Sequence, residues 1–482
     1  MPELKQLFNV REAIASRTSS TILVILLSMV FSIEFGIVAT GMMVVAICIA
    51  MIIYLKPISG IGLLYLTTYF LPTMMNQLDI PYNQDRVIWA IMVLLVLVFL
   101  VKISKNGLHS GPIEKMMFAF AFILIFSAFL TENPIVVTLK TTVTYFQYLF
   151  FYLFVKNIIS LRKSVSNVLF MVLVAVYSQI PFVIIQRLLA TDKFTSSDNF
   201  VGLLGKGATG HLAILMVIGY SILLSRILHG GKIKSYVIQI IIITLPIMIG
   251  SGKFGILLLV IVSLILAIIT NTVTSFRIQA KNIMLITLVS SFIVFFISNV
   301  LPTVTVRENS TLKILTSPTK MMEYAFYVDD QTGYATGKLA RVLFTFNHIK
   351  GNTKSILLGY GPGTLSKSDT FNEQGQISQA MMSKIGFSTG LSVLLAELGF
   401  MGLIGYVSLL IGVFLHHVKV YKHQTDLHMR IMSSSFIGIL VCYSLSLVYI
   451  RPFFDPISSL IMWGMAGVID NRNLASSNAT HE

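Results

Sequence analysis

Apolar runs separated by short polar connections cover almost the whole chain. They fall roughly at 21–35, 37–55, 58–75, 86–101, 116–131, 135–156, 167–189, 210–228, 235–250, 254–271, 282–301, 388–417, 431–450 and 456–470, each bounded by charge, Pro or Gly. A helix crossing a bilayer at right angles needs about 20 apolar residues. The pattern predicts an all-α polytopic integral membrane protein with about 14 transmembrane helices. The shorter runs, the 21–55 pair and the last one, would tilt, thin the bilayer or re-enter it. Four regions follow: a transmembrane region at 1–301 with about 11 helices, a polar loop at 302–387, C-terminal transmembrane helices at 388–470 and a polar tail at 471–482.

The loop at 302–387 is the one extramembrane piece large enough to have structure of its own. It lacks Cys and strand-like alternation, and Pro302, Pro318, Gly333 and Gly351 break it up, so it predicts short helices and loops over the membrane region. Leu339, Val342, Leu343, Phe346 and Ile349 recur at three-and-four spacing. They predict an amphipathic helix over Lys338–Lys350 with Arg341 and His348 on its wetter side. Leu357-Leu358-Gly359-Tyr360-Gly361-Pro362-Gly363 follows, and then Ala396-Glu397-Leu398-Gly399 opens the next long apolar run, continued by Gly402 and Gly405.

Composition removes the soluble classes. Of 482 residues 55% are hydrophobic and 11% charged, and the mean hydropathy is +0.83. A net charge of +15 would suit nucleic acid, but the cations stand singly or in twos and threes between apolar runs. They fit membrane orientation instead, and no nucleic-acid partner is expected. With the N-terminus inside, nineteen Lys and Arg residues fall on cytoplasmic connections or tails. The short external connections hold six: Arg86, Arg187, Lys193, Lys206, Lys253 and Arg451. Both termini are therefore expected in the cytoplasm, and 302–387 faces outward. Cys48 and Cys442 lie in apolar runs, so neither a disulfide framework nor a CxxC metal site is available. Met1–Ser20 is polar, with Lys5, Arg11 and Arg17, so the first helix is expected to act as its own insertion signal.

The external side brings cations to helix ends. Lys253 sits in the break Ile249-Gly250-Ser251-Gly252-Lys253-Phe254-Gly255. Arg451 opens Arg451-Pro452-Phe453-Phe454-Asp455-Pro456, Arg341 lies on the amphipathic helix, and Arg307 follows the 282–301 run. Each is either an interfacial anchor with its stem on apolar surface or one of several converging on an anion such as phosphate. Gly359–Gly363 permits tight turning; no Gly-Lys-Ser/Thr follows, so it is not a nucleotide loop. Gly202-Leu203-Leu204-Gly205-Lys206-Gly207, followed by His211, is a second pattern of that kind. Glu397, near the outer hydrocarbon boundary, is either a base or an ion-pair partner of Arg341 or Lys253. His348 is either a proton acceptor or an uninvolved exposed residue. Lys140, inside a run, requires a cavity or a partner. Gly399, Gly402 and Gly405 suit close helix packing. No carboxylate and histidine cluster suits a metal.

The order of these features resembles the bacterial O-antigen polymerase and O-antigen ligase superfamily of membrane glycosyltransferases. Ser251-Gly252-Lys253-Phe254-Gly255 is similar to the family's Ser-Arg-Gly-like break, with Lys in place of Arg. Arg341 with Leu358-Gly359-Tyr360-Gly361-Pro362-Gly363 matches its Arg-bearing periplasmic helix and Gly-x-Gly turn. Ala396-Glu397-Leu398-Gly399-Phe400-Met401-Gly402 matches its Ala-Glu-Leu-Gly-x-x-Gly helix. Where ligases have a His-Asn pair about nine residues before the Glu, this chain has Ser388-Thr389, which favours a polymerase.

The resemblance implies a multi-pass protein of the bacterial inner membrane that joins undecaprenyl-pyrophosphate-linked oligosaccharides at the outer face. A sugar hydroxyl of one unit attacks the anomeric carbon of the other, and lipid pyrophosphate leaves. Lys253, Arg341 and Arg451, with Gly359, Gly361 and Gly363, are implied pyrophosphate ligands. Glu397 or His348 is the base or orienting group, beside Arg341. No metal or other cofactor is implied. The partners are the lipid-linked glycans, membrane lipid and a chain-length regulator protein. The rivals are a ligase and a lipid-linked oligosaccharide flippase or transporter; an ion-coupled transporter would need several carboxylates deep in the spans, and almost none stand out.

Overall fold

The computed structural model describes residues 57–70, 84–106, 111–158, 164–189, 200–204, 208–230, 233–249, 253–271, 337–368, 373–375 and 388–479, with isolated positions at 72, 317–328 and 377–378. Among the described residues eight helices precede the polar loop: α1 Pro57–Tyr69, α2 Gln84–Asn106, α3 Pro112–Phe129, α4 Ile135–Ile158, α5 Ser164–Leu189, α6 Thr209–Leu228, α7 Ile233–Ile249 and α8 Lys253–Asn271. The loop contributes α9 Lys338–Ile349, α10 Thr353–Leu358 and an antiparallel hairpin, β1 Lys367–Ser368 with β2 Glu373–Gln374. Two-residue strands are too short to show as alternation in sequence, which is why they were not expected. Three helices close the chain: α11 Gly390–His423, α12 Leu427–Ser446 and α13 Pro456–Ala479.

Helices stand at every predicted apolar run that falls on described residues. The runs at 21–35, 37–55 and 282–301, with Cys48 and Arg307, lie outside them. Among the described residues five helical segments are long and apolar enough to cross a membrane: Pro112–Phe129, Val168–Leu189, Thr209–Leu228, Gly390–His423 and Leu427–Ser446. Large apolar side chains face outward along them and their neighbours, with Phe122 71% and Phe129 83% exposed. A water-soluble surface does not present such stretches, and they are compatible with a multi-pass membrane protein.

The core is made by helices that approach closely. α13 packs along α4, α12 along α6 and α11 along α3. Small residues make this possible: a side-chain carbon added at Gly464 of α13 would stand 3.0 Å from the Phe151 ring of α4, and one at Gly405 of α11 would stand 2.8 Å from Ile123 of α3. Trp463, Tyr152, Tyr406 and Tyr443 are fully buried between these helices.

The two ends of the bundle differ in chemistry. At the end holding the start of α3 and the later turns of α4, α11 and α13, the Lys156 ammonium pairs with Glu114 Oε1. The Tyr152 hydroxyl lies 2.9 Å from Glu114 Oε1 and 2.6 Å from Asp470 Oδ2, and His416 Nε2 lies 2.9 Å from Asp470 Oδ1. Glu114, Lys156 and Asp470 are all buried. Both carboxylates stand at this end of the bundle, Glu114 in the first turn of α3 and Asp470 late in α13, not midway along the spans. Glu114 reads in sequence as the polar border of a run, but the helix packing closes over it.

Candidate functional site

The other end of the bundle gathers the start of α11, the α12–α13 connection and the polar loop. Thr389 caps α11: its Oγ1 accepts from the Ser392 amide at 3.3 Å, and the Thr389 amide donates to Ser392 Oγ at 2.8 Å. The amides of Gly390 and Leu391 donate to the carbonyls of Ile450 at 2.7 Å and Leu447 at 3.0 Å, which docks the helix start on the turn after α12. Ser388-Thr389, the position where the resemblance led one to look for His-Asn, is thus a capping element.

Ten residues after Thr389, α11 breaks. Gly399 has φ +61° and ψ −159°, a conformation open to glycine alone. The close approach expected at Gly399 is made by α10 and the turn after it, and the positive φ comes on top of it, while Gly405 packs on α3. A break releases carbonyls from the helical ladder, and the glycine turn takes them up. The Tyr360 amide donates to the Ala396 carbonyl at 2.8 Å and the Gly361 amide to the Glu397 carbonyl at 2.9 Å. Gly359, Gly361 and Gly363 all have φ between 70° and 90°. A side-chain carbon at Gly359 would fall 2.5 Å from the Glu397 carbonyl carbon, and one at Gly399 would fall 2.5 Å from that of Leu357. The two motifs, about forty residues apart in sequence, interlock backbone to backbone.

The last turn of α3 and the segment between α3 and α4 clamp the turn as well. Ser127 Oγ donates to the Leu358 carbonyl at 3.0 Å, Thr131 Oγ1 to the Tyr360 carbonyl at 2.8 Å and Asn133 Nδ2 to the same carbonyl at 2.9 Å. Lys354 Nζ reaches the Leu130 carbonyl at 3.1 Å.

Glu397 is fully buried under this turn. Its Oε2 accepts from the Tyr145 hydroxyl of α4 at 3.0 Å. The amides of Gly363 and Leu365 point toward the carboxyl group, and Arg451 acts on it as a positive charge. Oε1 closes no hydrogen bond of full geometry. The ring of Tyr145 stacks on Phe453, with centroids 5.0 Å apart, and meets Phe454 edge-on at 4.8 Å. The Arg451 guanidinium lies 6.0 Å from the centre of the Phe454 ring.

Of the predicted cations, Arg451 reaches this core as a charge acting on Glu397. Arg341 is 6% exposed, on the face of α9 shared with Ala340, Thr345 and Ile349, while Leu343 is 49% exposed. The expected orientation of α9 is corrected: α9 packs on α11 through the arginine face and turns Leu343 outward. His348, exposed as expected, lies with its ring 6.1 Å from that of Tyr360 in the glycine turn. Arg451 is exposed. Lys253 opens α8, and its side chain lies outside the described residues, as do Gly205, Lys206 and Gly207. Lys140 is exposed on α4.

Three further residues join the site. Lys338 Nζ sits 4.4 Å over the Tyr449 ring, and His211 Nε2 is 3.6 Å from Asp455 Oδ1, whose carboxylate caps α13 through the Ile457 and Ser458 amides at 3.1 and 3.0 Å. The third is Tyr145. An aromatic on an apolar helix reads as core, so nothing in the sequence separates it from Tyr148 or Tyr152. No protein-family model and no curated protein matches the chain.

Proposed function

We propose that the protein is a bacterial polysaccharide polymerase of the O-antigen type, joining undecaprenyl-pyrophosphate-linked repeat units at the outer face of the inner membrane. In this reading the chain is multi-pass, with about 14 spans and both termini in the cytoplasm. The observation that carries it is the interlock of the glycine turn with the break after Glu397, with the His348 ring against Tyr360 of that turn and Arg451 acting on Glu397 as a positive charge. Arginines on the elements that border this turn suit an anion with several oxygens.

The chemistry needs little else. An acceptor sugar hydroxyl forms the new C–O bond at the anomeric carbon, and the bond from that carbon to the pyrophosphate oxygen breaks. Charge grows on the leaving pyrophosphate, where Arg341, Arg451 and Lys253 would stabilise it. His348, exposed beside the turn, is the group suited to take the hydroxyl proton. Glu397 suits an orienting role better than a base role, because the turn and Tyr145 cover it.

The test is the surface glycan of a deletion strain complemented with the wild type or Arg341→Ala. Polymerisation predicts that deletion and the variant both collapse a ladder to single repeat units while the variant protein stays in the membrane. Normal-length polymer left on its lipid carrier indicates a ligase instead. Single units trapped inside indicate a flippase. That last reading draws support from one observation, the buried ionic network at the far end of the bundle.

A further inference from the structure

We infer that Tyr145 is a positioning residue for this site, tying the carboxyl group under the glycine turn to the loop that holds Arg451. The inference rests on the polymerase reading. Tyr145 touches both halves: its hydroxyl donates to Glu397 Oε2 at 3.0 Å, and its ring stacks on Phe453 at 5.0 Å and packs edge-on to Phe454 at 4.8 Å. Glu397 is covered on its other sides by the amides of Gly363 and Leu365. A carboxyl group with rotatable bonds and a partly unused oxygen is held in one orientation only by the donors aimed at it. Tyr145 is the donor from outside the turn, so it decides how the carboxyl group meets the turn.

Filling the core explains the ring but not the hydroxyl. A ring wedged between Phe453, Phe454 and Phe120 packs equally well as phenylalanine. The phenol group buries a polar atom that is costly to place in an apolar interior without a partner. Its position against a carboxyl group at the break of α11 indicates alignment.

The test is Tyr145→Phe in the full-length protein reconstituted in membrane. The probe is lipid-linked repeat units extracted from the deletion strain. Removing the hydroxyl is expected to lower kcat for chain extension about tenfold, the upper end of what one intramolecular hydrogen bond contributes. KM should stay within about twofold, because Tyr145 acts through Glu397 rather than on substrate. A wild-type rate overturns the inference, and so does a loss carried wholly by KM. Amide hydrogen exchange across 359–365 gives a readout independent of activity. Tyr145→Phe should speed exchange of the Gly363 and Leu365 amides while the exchange of α4 is unchanged; equal exchange in both proteins overturns the inference. If the wild type extends nothing, the polymerase reading fails, and the exchange result still decides whether Tyr145 holds the turn.

Discussion

Arg341 is buried between α9 and α11, where a guanidinium is costly to desolvate and helix packing could have used leucine. Its planar fork of five donors is the feature that leucine, and lysine too, lacks. If the fork grips pyrophosphate oxygens, Arg341→Lys keeps the charge and loses the bidentate geometry. Chain extension should then fall about tenfold, with Arg341→Ala lower still. If the arginine serves packing alone, lysine and alanine variants should differ in thermal stability and not in extension rate per folded molecule. At this scale the sequence showed which residues to suspect but not how they face. Arg341, Arg451, Glu397 and the three glycines stand out by type and order. The burial of Arg341 does not, because three-and-four spacing of apolar residues assigns charged positions to the face turned away from the packing.

The elements of the fold were legible wherever a long apolar run allowed one outcome. Hydropathy alone places α3, α6, α11 and α12 within a few residues. The interruption of α11 was not legible, because Ala396-Glu397-Leu398-Gly399 reads as ordinary helix and glycine within an apolar helix usually signals close packing. Only the tertiary contact, a turn that takes up the released carbonyls, makes a positive φ at Gly399 the stable choice. Gly399→Ala should therefore be costly twice over. The backbone conformation costs about 1–3 kcal/mol for a residue with a side chain, and the new carbon would stand 2.5 Å from the Leu357 carbonyl carbon. The turn has to move away from the break. Expected results are a lower unfolding temperature and faster hydrogen exchange across 357–363, with α12 and α13 unaffected. Gly405→Ala serves as a control. An added carbon there meets the end of the flexible Ile123 side chain of α3 at 2.8 Å, and the exchange of the turn should change less.

At the scale of the whole molecule, the end of the bundle opposite the candidate site poses the remaining question. Lys156 neutralises Glu114, while Tyr152 has one proton to offer two carboxylates, Glu114 and Asp470, and His416 stands against the second. Such a network either pins four helices in register or moves protons. Removing one partner from a buried pair leaves the other charge uncompensated, whereas replacing both with apolar residues is often neutral. Lys156→Met alone should then destabilise the protein by about 3–5 kcal/mol, and Glu114→Leu combined with Lys156→Met should recover most of that loss. Thermal unfolding in detergent measures both. The double variant then separates the functional readings. A polymerase working at the far end needs these helices only in place, so a stable double variant should still build a full glycan ladder. A proton-coupled exporter needs the titratable chain itself, and a stable double variant would leave single repeat units inside. Stability restored together with polymer length is the result expected here; stability restored without it would move the work of the protein from the glycine turn to the ionic network.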